Sequence, residues 1–261
     1  MANITIGVLY ICTGEYHKFW PGFYENAKKF LAIDAELKFF VFTDNKELID
    51  SKLSDVSFIY KESKPWPEPT LFRYHAFLEH SNLYAEVDYL IFCNANLKFV
   101  RNIKAKELFL ERDMFCTIHP GYFDKSYKTY PYELNSKSTA YLKSCSESIY
   151  IAGGFNGGRV SSFLEMSNVI ARNTDVDLEN SIVARWHDES HINNYYSKNK
   201  AIFNVLSEKF CCPDSSDIIS TPSVIVIDKS KVISLRHKGN YYVIRSWLAS
   251  YFKKIIKYLS K

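Results

Sequence analysis

The sequence predicts an α/β fold with a mixed, mostly parallel central sheet flanked by helices. Three runs carry that expectation. ITIGVLYIC (4–12), LKFFVFTD (37–44) and VDYLIFC (87–93) are near-continuous apolar, β-branched and aromatic stretches. Strands written this way bury both faces, as strands of a parallel sheet covered by helices must. Between the first two, residues 17–34 (HKFWPGFYENAKKFLAID) have helical spacing, and VSFIYKES (56–63) adds another strand. A β-α-β-β opening of this kind puts ligand-binding loops at the carboxyl ends of its strands.

Bulk composition narrows the function classes. The 261 residues are 47% hydrophobic and 16% aromatic, which excludes a disordered chain. A net charge of +4 is too mild to imply a nucleic-acid partner. The six cysteines form no C-x-x-C pair, so a common zinc site is not expected. Cys12, Cys93 and Cys116 sit in apolar runs and read as reduced core thiols of a reducing compartment. No run reaches the ~20 apolar residues that span a bilayer, and the start lacks a signal-peptide pattern. A soluble, cytoplasmic protein is expected, with one reservation. Residues 246–261 form a basic amphipathic helix pattern that could lie on the inner face of an anionic membrane or dock on its own domain.

The loops hold the candidate chemistry. After the first strand come Thr13, Gly14 and Tyr16; the glycine permits a tight turn, and the tyrosine could stack on a base or belong to an ordinary βα turn. Neither G-x-G-x-x-G nor a Walker A loop is present. KPWPEPTLFRYHAFLEHSNLYAEV (64–87) predicts a rigid entry holding Trp66 and then one long amphipathic helix. Arg73, one turn in, could bind phosphate or pair with Glu68 or Glu79 on the surface. The strand over 87–93 runs into Asn94-Ala95-Asn96, whose amides can bind hydroxyls but hold a divalent ion weakly. MFCTIHPGYF (114–123) is a strand ending at His119, and 124–147 reads as a surface excursion. In IYIAGGFNGGRV (149–160) the glycines leave the backbone bare, as a ligand wall requires. Residues 161–186 predict two helical segments broken at 172–175, and 201–210 an extended segment.

WHDESHINNY (186–195) packs an indole, two imidazoles and two carboxylates into six positions. It admits two readings. One is a helix start with Asp188 as N-cap. The other is a sugar site, where an indole stacks on a pyranose and a carboxylate faces a developing cation.

Several of these stretches together resemble one family. WHDESHINNY is similar to the WHDESHLNKY signature of the ABO blood-group and α-1,3-galactosyltransferase family. VDYLIFCNANLKF resembles its VDYL strand and Asp-Val-Asp turn, IHPGYF its LHPGFY, YPYE its FTYE, IAGGFNGG its LGGFFGG, and FVFTD its YVFTD. The matches run in order from about residue 4 to about residue 245. The resemblance implies a GT-A type nucleotide-sugar transferase domain over 1–245, followed by the helix at 246–261. It also implies a UDP-sugar donor, transfer with retention, and a β-galactoside acceptor, often 2-fucosylated.

Carried over by position, Glu189 is the catalytic carboxylate. Ile11, Cys12, Thr13 and Tyr16 match the uridine loop, and Trp66, Arg73 and Asp188 match donor contacts. Asn94, Ala95, Asn96, Ala152, Gly153 and Gly154 fall at the donor sugar and diphosphate. His119 and Trp186, with Glu189, match acceptor contacts.

Two departures from the family pattern matter. Asn94 and Asn96 replace the aspartates that hold manganese in most vertebrate members, so no metal is expected, as in a bacterial branch of the family. Lys231, Arg236, Lys238 and Arg245 are then the expected source of positive charge at the diphosphate. At 211–214, CCPD replaces a Trp and an acceptor-binding Asp, which leaves acceptor preference open. Ala152 and Gly154 are small where the family selects its donor, leaving room for an acetamido group. The expectation is therefore transfer of N-acetylgalactosamine from UDP-GalNAc to an acceptor such as 2'-fucosyllactose. The alternatives are a galactosyltransferase and a non-catalytic glycan-binding protein.

Overall fold

The structure is a computed structural model that describes residues 4–143, 145–216 and 219–234. The expected C-terminal helix and Arg236, Lys238 and Arg245 lie outside the described residues.

In chain order the strands are β1 (Thr5–Ile11), β2 (Glu36–Thr43), β3 (Val56–Tyr60), β4 (Tyr89–Cys93), β5 (Leu97–Phe99), β6 (Met114–Ile118), β7 (Ile151–Arg159), β8 (Phe203–Leu206), β9 (Cys212–Pro213) and β10 (Val224–Val226). The helices are α1 (Trp20–Phe30), α2 (Lys46–Ile49), α3 (Glu68–Leu71), α4 (Arg73–Glu79), α5 (Ala105–Phe109), α6 (Val160–Glu179) and α7 (Asp188–Lys198). Seven strands form the main sheet in the order β3-β2-β1-β4-β7-β6-β8, and β5-β10-β9 form a small second sheet. In the main sheet only β7 runs against its neighbours. This is the mixed, mostly parallel sheet expected.

The continuous apolar runs are explained by two cores, one on each face. Ile6, Val8 and Tyr10 of β1 pack with Trp20 and Phe23 of α1, while Leu9 faces Phe77 of α4 and Phe163 and Met166 of α6. Side chains alternate across a strand, so a strand covered by helices on both faces must be apolar at every position. In β7 the sheet itself dictates glycine. A Cβ on Gly157 would stand 2.5 Å from the Leu90 carbonyl oxygen and 2.7 Å from the Phe115 ring. That half of the glycine run serves strand packing, and only Gly153 and Gly154 reach the site described below.

Three local expectations are corrected. The helix over 161–186 does not break at 172–175; α6 continues to Glu179. Its polar residues are satisfied in place, since Thr174 donates to the Ile170 carbonyl at 2.9 Å and Thr139 donates to the Asn173 carbonyl at 3.0 Å. The long helix expected after the prolines is two short ones, because Phe72 leaves the helical region (φ −105°, ψ 19°). That break starts α4 at Arg73, whose side chain is buried. The extended segment over 201–210 shrinks to β8, set between single turns of 3-10 helix.

The excursion over 124–147 is tied down at its carboxyl half. Ser138 Oγ and the Thr139 amide donate to the buried Asp177 carboxylate at 2.5 and 2.7 Å. Glu133 accepts from the Arg185 amide at 2.7 Å, which links the excursion to the entry of α7.

Candidate active site

The carboxyl ends of β1 and β4, the amino end of the reversed β7 and the first turn of α7 meet at one edge of the main sheet. Ligands of open α/β sheets bind at this edge. The first turn of α7 begins with Asp188 and Glu189. Its N-cap is His187, not Asp188 as the helix-start reading has it, and the Trp186 amide donates to Ser190 Oγ at 2.9 Å. His187 has φ 53° and ψ −125°, a backbone conformation costing on the order of 1–3 kcal/mol in a non-glycine residue. The kink sends two consecutive carboxylates into the site at a helix N-terminus, whose dipole favours negative charge.

Each oxygen of Glu189 has one donor. Tyr150 donates its hydroxyl to Oε1 at 2.8 Å, and the Gly153 amide donates to Oε2 at 2.8 Å. Burial raises the Glu189 pKa, while these two donors and the Arg73 charge lower it. Asp188 Oδ2 lies 2.7 Å from Arg73 Nη1, both side chains being buried. Burial pushes the Asp188 carboxyl up to about 6 despite the pull of Arg73. Arg73 also stacks over Phe92, 4.3 Å from the ring centre, and reaches the Gly153 carbonyl at 3.4 Å. Thus Arg73 is not on the surface with Glu68 or Glu79; the break at Phe72 turns it into the site. Trp66 stands edge-on to His187 at 5.0 Å, which brings the proline-rich entry against the WHDESH turn.

The Asn94-Ala95-Asn96 turn splits by direction. Asn94 extends the β4–β7 pairing, donating its amide to the Gly154 carbonyl at 2.9 Å, and its side chain is partly exposed. A Cβ on Gly154 would fall 2.5 Å from Asn94 Nδ2, so the bare backbone there accommodates the asparagine. Ala152 and Ala95 are buried, and the Ala95 carbonyl accepts from the Tyr10 hydroxyl at 2.8 Å. Asn96 was expected at the donor. Instead it is 3% exposed and donates Nδ2 to the Ile227 carbonyl at 2.7 Å, while its own carbonyl accepts from the Ile227 amide at 2.8 Å. Its side chain clips the turn to the segment after β10.

That segment lies against the loop after β1, with the Ser234 amide donating to Glu15 at 2.9 Å. Lys231, expected at the diphosphate, pairs on the surface with Asp214 at 2.8 Å. Lys229 turns inward instead, its ammonium 5.1 Å from the centre of the Tyr16 ring. Burial lowers the Lys229 pKa, and the nearby Arg73 charge lowers it further. Among the described residues Lys229 makes no salt bridge. In the β1 loop, Ile11 and Tyr16 are half-buried, Thr13 is buried, and the Gly14 amide donates to Asp44 at 2.8 Å. The Cys12 thiol lies in the core, pushed up to about 12 by burial, so this residue can offer only its backbone to a ligand.

His119 packs against Tyr150, and the Trp186 carbonyl accepts from the Glu189 amide at 3.0 Å. His119 Nδ1 accepts from the Gly121 amide at 3.0 Å, which leaves Nε2 to carry the proton of the neutral ring. Burial lowers the His119 pKa to about 4, so the ring is neutral at physiological pH. Trp186 is 43% exposed, an indole face open to a ligand. Cys211 is buried, and its pKa rises to about 12 through burial, with the Glu189 charge adding to the rise.

The structure therefore joins Arg73, Asn94, Gly153, Gly154, Asp188 and Glu189 and turns Asn96 and Lys231 elsewhere. Sequence reasoning assigned no role to Lys229 or Tyr150. Lys229 belongs to the same basic run as Lys231, and Tyr150 directly precedes the strand that carries the glycines.

An α/β fold with paired carboxylates and cations at its ligand edge defines a binding site for a charged, hydroxyl-bearing ligand, and comparison with known proteins gives the class. Residues 1–246 match glycosyltransferase family 6, and the chain belongs to that family. It is 34% identical over 228 residues to the O-antigen biosynthesis glycosyltransferase WbnI of Escherichia coli, covering 87% of this chain and 96% of that one. It is 32% identical over 252 residues to globoside alpha-1,3-N-acetylgalactosaminyltransferase 1 of Gallus gallus, covering 94% of this chain and 70% of that one. It is 28% identical over 219 residues to histo-blood group ABO system transferase 1 of Rattus norvegicus, covering 80% and 61%. The protein is a glycosyltransferase. No helix among the described residues is long and apolar enough to cross a membrane.

Proposed function

We propose that this enzyme transfers N-acetylgalactosamine from UDP-GalNAc, with retention, to the 3-hydroxyl of a β-galactoside such as that of 2'-fucosyllactose, and needs no metal ion. The observation that carries the reading is Glu189, a carboxylate with both oxygens held by donors, beside the Arg73–Asp188 pair. The avian relative's name specifies α-1,3-N-acetylgalactosaminyl transfer. Ala152 and Gly154 are the small residues at the amino end of β7; the space a Cβ would take at Gly154 is filled by Asn94 Nδ2, so the donor assignment rests on the relative's name and not on an open cavity there.

The uracil ring stacks near Tyr16, and Lys229, beside the Tyr16 ring and within electrostatic reach of Arg73, meets the diphosphate. As the bond from the anomeric carbon to UDP breaks, positive charge develops on the sugar. Glu189 faces that charge from the opposite side, as an ion or as a covalent nucleophile. Asp188 accepts from donor-sugar hydroxyls while Arg73 holds it in place. The acceptor 3-hydroxyl, positioned by His119 and Trp186, attacks the anomeric carbon from the side UDP leaves, and its proton passes to a phosphate oxygen of UDP.

The donor set supports metal independence. Asn94 and Asn96 are neutral, and Asn96 donates its side-chain amide to the Ile227 carbonyl. A hard divalent cation selects charged oxygen ligands, which this turn does not supply. Lys229 then neutralises charge on UDP. We place the reaction in the cytoplasm, on glycan precursors.

The test measures UDP release from UDP-GalNAc and from UDP-galactose, each with 2'-fucosyllactose, with and without EDTA. The reading expects UDP-GalNAc to be preferred and EDTA to have no effect. Preference for UDP-galactose would overturn the donor assignment, and strong EDTA inhibition the metal-free one.

A further inference from the structure

We propose that Tyr150 is the positioning residue of this site, orienting the Glu189 carboxylate and coupling it to the acceptor side. This rests on Glu189 being the catalytic carboxylate. The Tyr150 ring is buried, and its hydroxyl donates to Glu189 Oε1 at 2.8 Å. The phenol is held in place from several directions. Tyr132 and Tyr122 pack against its ring at 5.4 and 5.1 Å, and Tyr132 is itself fixed by donating to the Ile149 carbonyl at 2.7 Å. The Tyr150 carbonyl accepts from the His119 amide at 2.9 Å, and the His119 ring lies 5.6 Å from the Tyr150 ring. One residue therefore touches the catalytic carboxylate through its side chain and the acceptor-side histidine through its backbone.

The electrostatics follow from this geometry. Burial raises the Tyr150 pKa and the Glu189 charge raises it further, so the phenol remains a proton donor wherever Glu189 is an anion. The groups facing Glu189 are Tyr150, just before β7, the Gly153 amide of β7, Arg73 from α4, Asp188 from α7, and the buried Cys211 thiol. Arg73 is already engaged by Asp188. Tyr150 is thus the side-chain hydroxyl that keeps Glu189 ionised and in one orientation. A hydrogen bond to a charged group is stronger than one between neutral groups.

The test compares Tyr150→Phe, Glu189→Gln and wild type in kcat, donor KM and pH–rate profile. Losing one charged hydrogen bond is expected to lower kcat of Tyr150→Phe by about tenfold or more with little change in donor KM. The acidic limb of kcat moves to higher pH, because Glu189 without that donor protonates more readily. Site-specific 3-fluorotyrosine at position 150 preserves the packing and strengthens the donor, so it moves the limb to lower pH even if Tyr150→Phe folds poorly. A Tyr150→Phe kcat within about twofold of wild type and an unmoved limb in both variants would overturn the proposal while Glu189→Gln is inactive. If Glu189→Gln itself keeps wild-type transfer, the underlying assignment fails and the proposal falls with it.

Discussion

Asn96→Asp separates two accounts of the Asn-Ala-Asn turn. If the asparagines merely replace metal-binding aspartates, restoring one carboxylate is a step toward a metal site. The geometry predicts damage instead. Asn96 Nδ2 donates to the Ile227 carbonyl at 2.7 Å in a buried setting. Aspartate has no proton to give, so two acceptors would face each other, one of them charged. Losing the bond and leaving a buried polar group unpaired costs about 1–3 kcal/mol, and more when one group is charged. A loss of about 3 kcal/mol lowers Tm by roughly 6–12 °C in a chain of this size. The expected Asp pKa in the folded state lies above its unfolded value, so the deficit is fully present at neutral pH and shrinks as pH falls. Asn96→Ala removes the donor without adding charge and should lose less. The loop carrying Lys229 loosens as well, so donor KM rises. The assays are thermal melts at acidic and neutral pH, and UDP release with and without manganese. A variant as stable as wild type at neutral pH and activated by manganese would refute the reasoning.

Two further perturbations test the charges of the site. Lys229→Met removes the cation over Tyr16, and loss of a charge-assisted contact should weaken inhibition by UDP about tenfold or more, whereas Lys231→Met, on the surface with Asp214, should not. Equal effects of the two variants would count against Lys229 as the diphosphate cation. Asp188 has a folded-state pKa of about 6, raised from 3.8 by burial. The folded state therefore binds more protons between those values, and stability falls as pH rises through that window. Two pKa units correspond to about 3 kcal/mol, so Asp188→Asn should gain about that much on wild type between acidic and neutral pH in urea unfolding. Parallel curves for the two proteins would show that Asp188 is not held in so desolvated a setting.

Much of the frame was legible because burial on both faces leaves a plain mark. β1, β2 and β4 are apolar at nearly every position, and the two cores on either side of the sheet show why. The α6 break was misread because Asn, Thr and Asp mark turns, whereas here Thr174 satisfies itself within the helix. The pairing of Arg73 with Asp188 was hidden, since it depends on a helix break at Phe72 and on the His187 kink. Choosing between Lys229 and Lys231 requires the turn itself. Asp228 caps it by accepting from the Ser230 amide at 2.9 Å, and that sends one lysine inward and the other to Asp214. The motif position points Asn96 at the donor, and only the Ile227 contact shows that its amide is already engaged within the protein.

The central claim is that Glu189 acts on the sugar. Glu189→Gln keeps the size of the side chain and removes the charge that would face the anomeric carbon. Transfer from UDP-GalNAc to 2'-fucosyllactose is expected to fall by at least about a thousandfold while UDP still binds. Wild-type transfer by Glu189→Gln would contradict that claim.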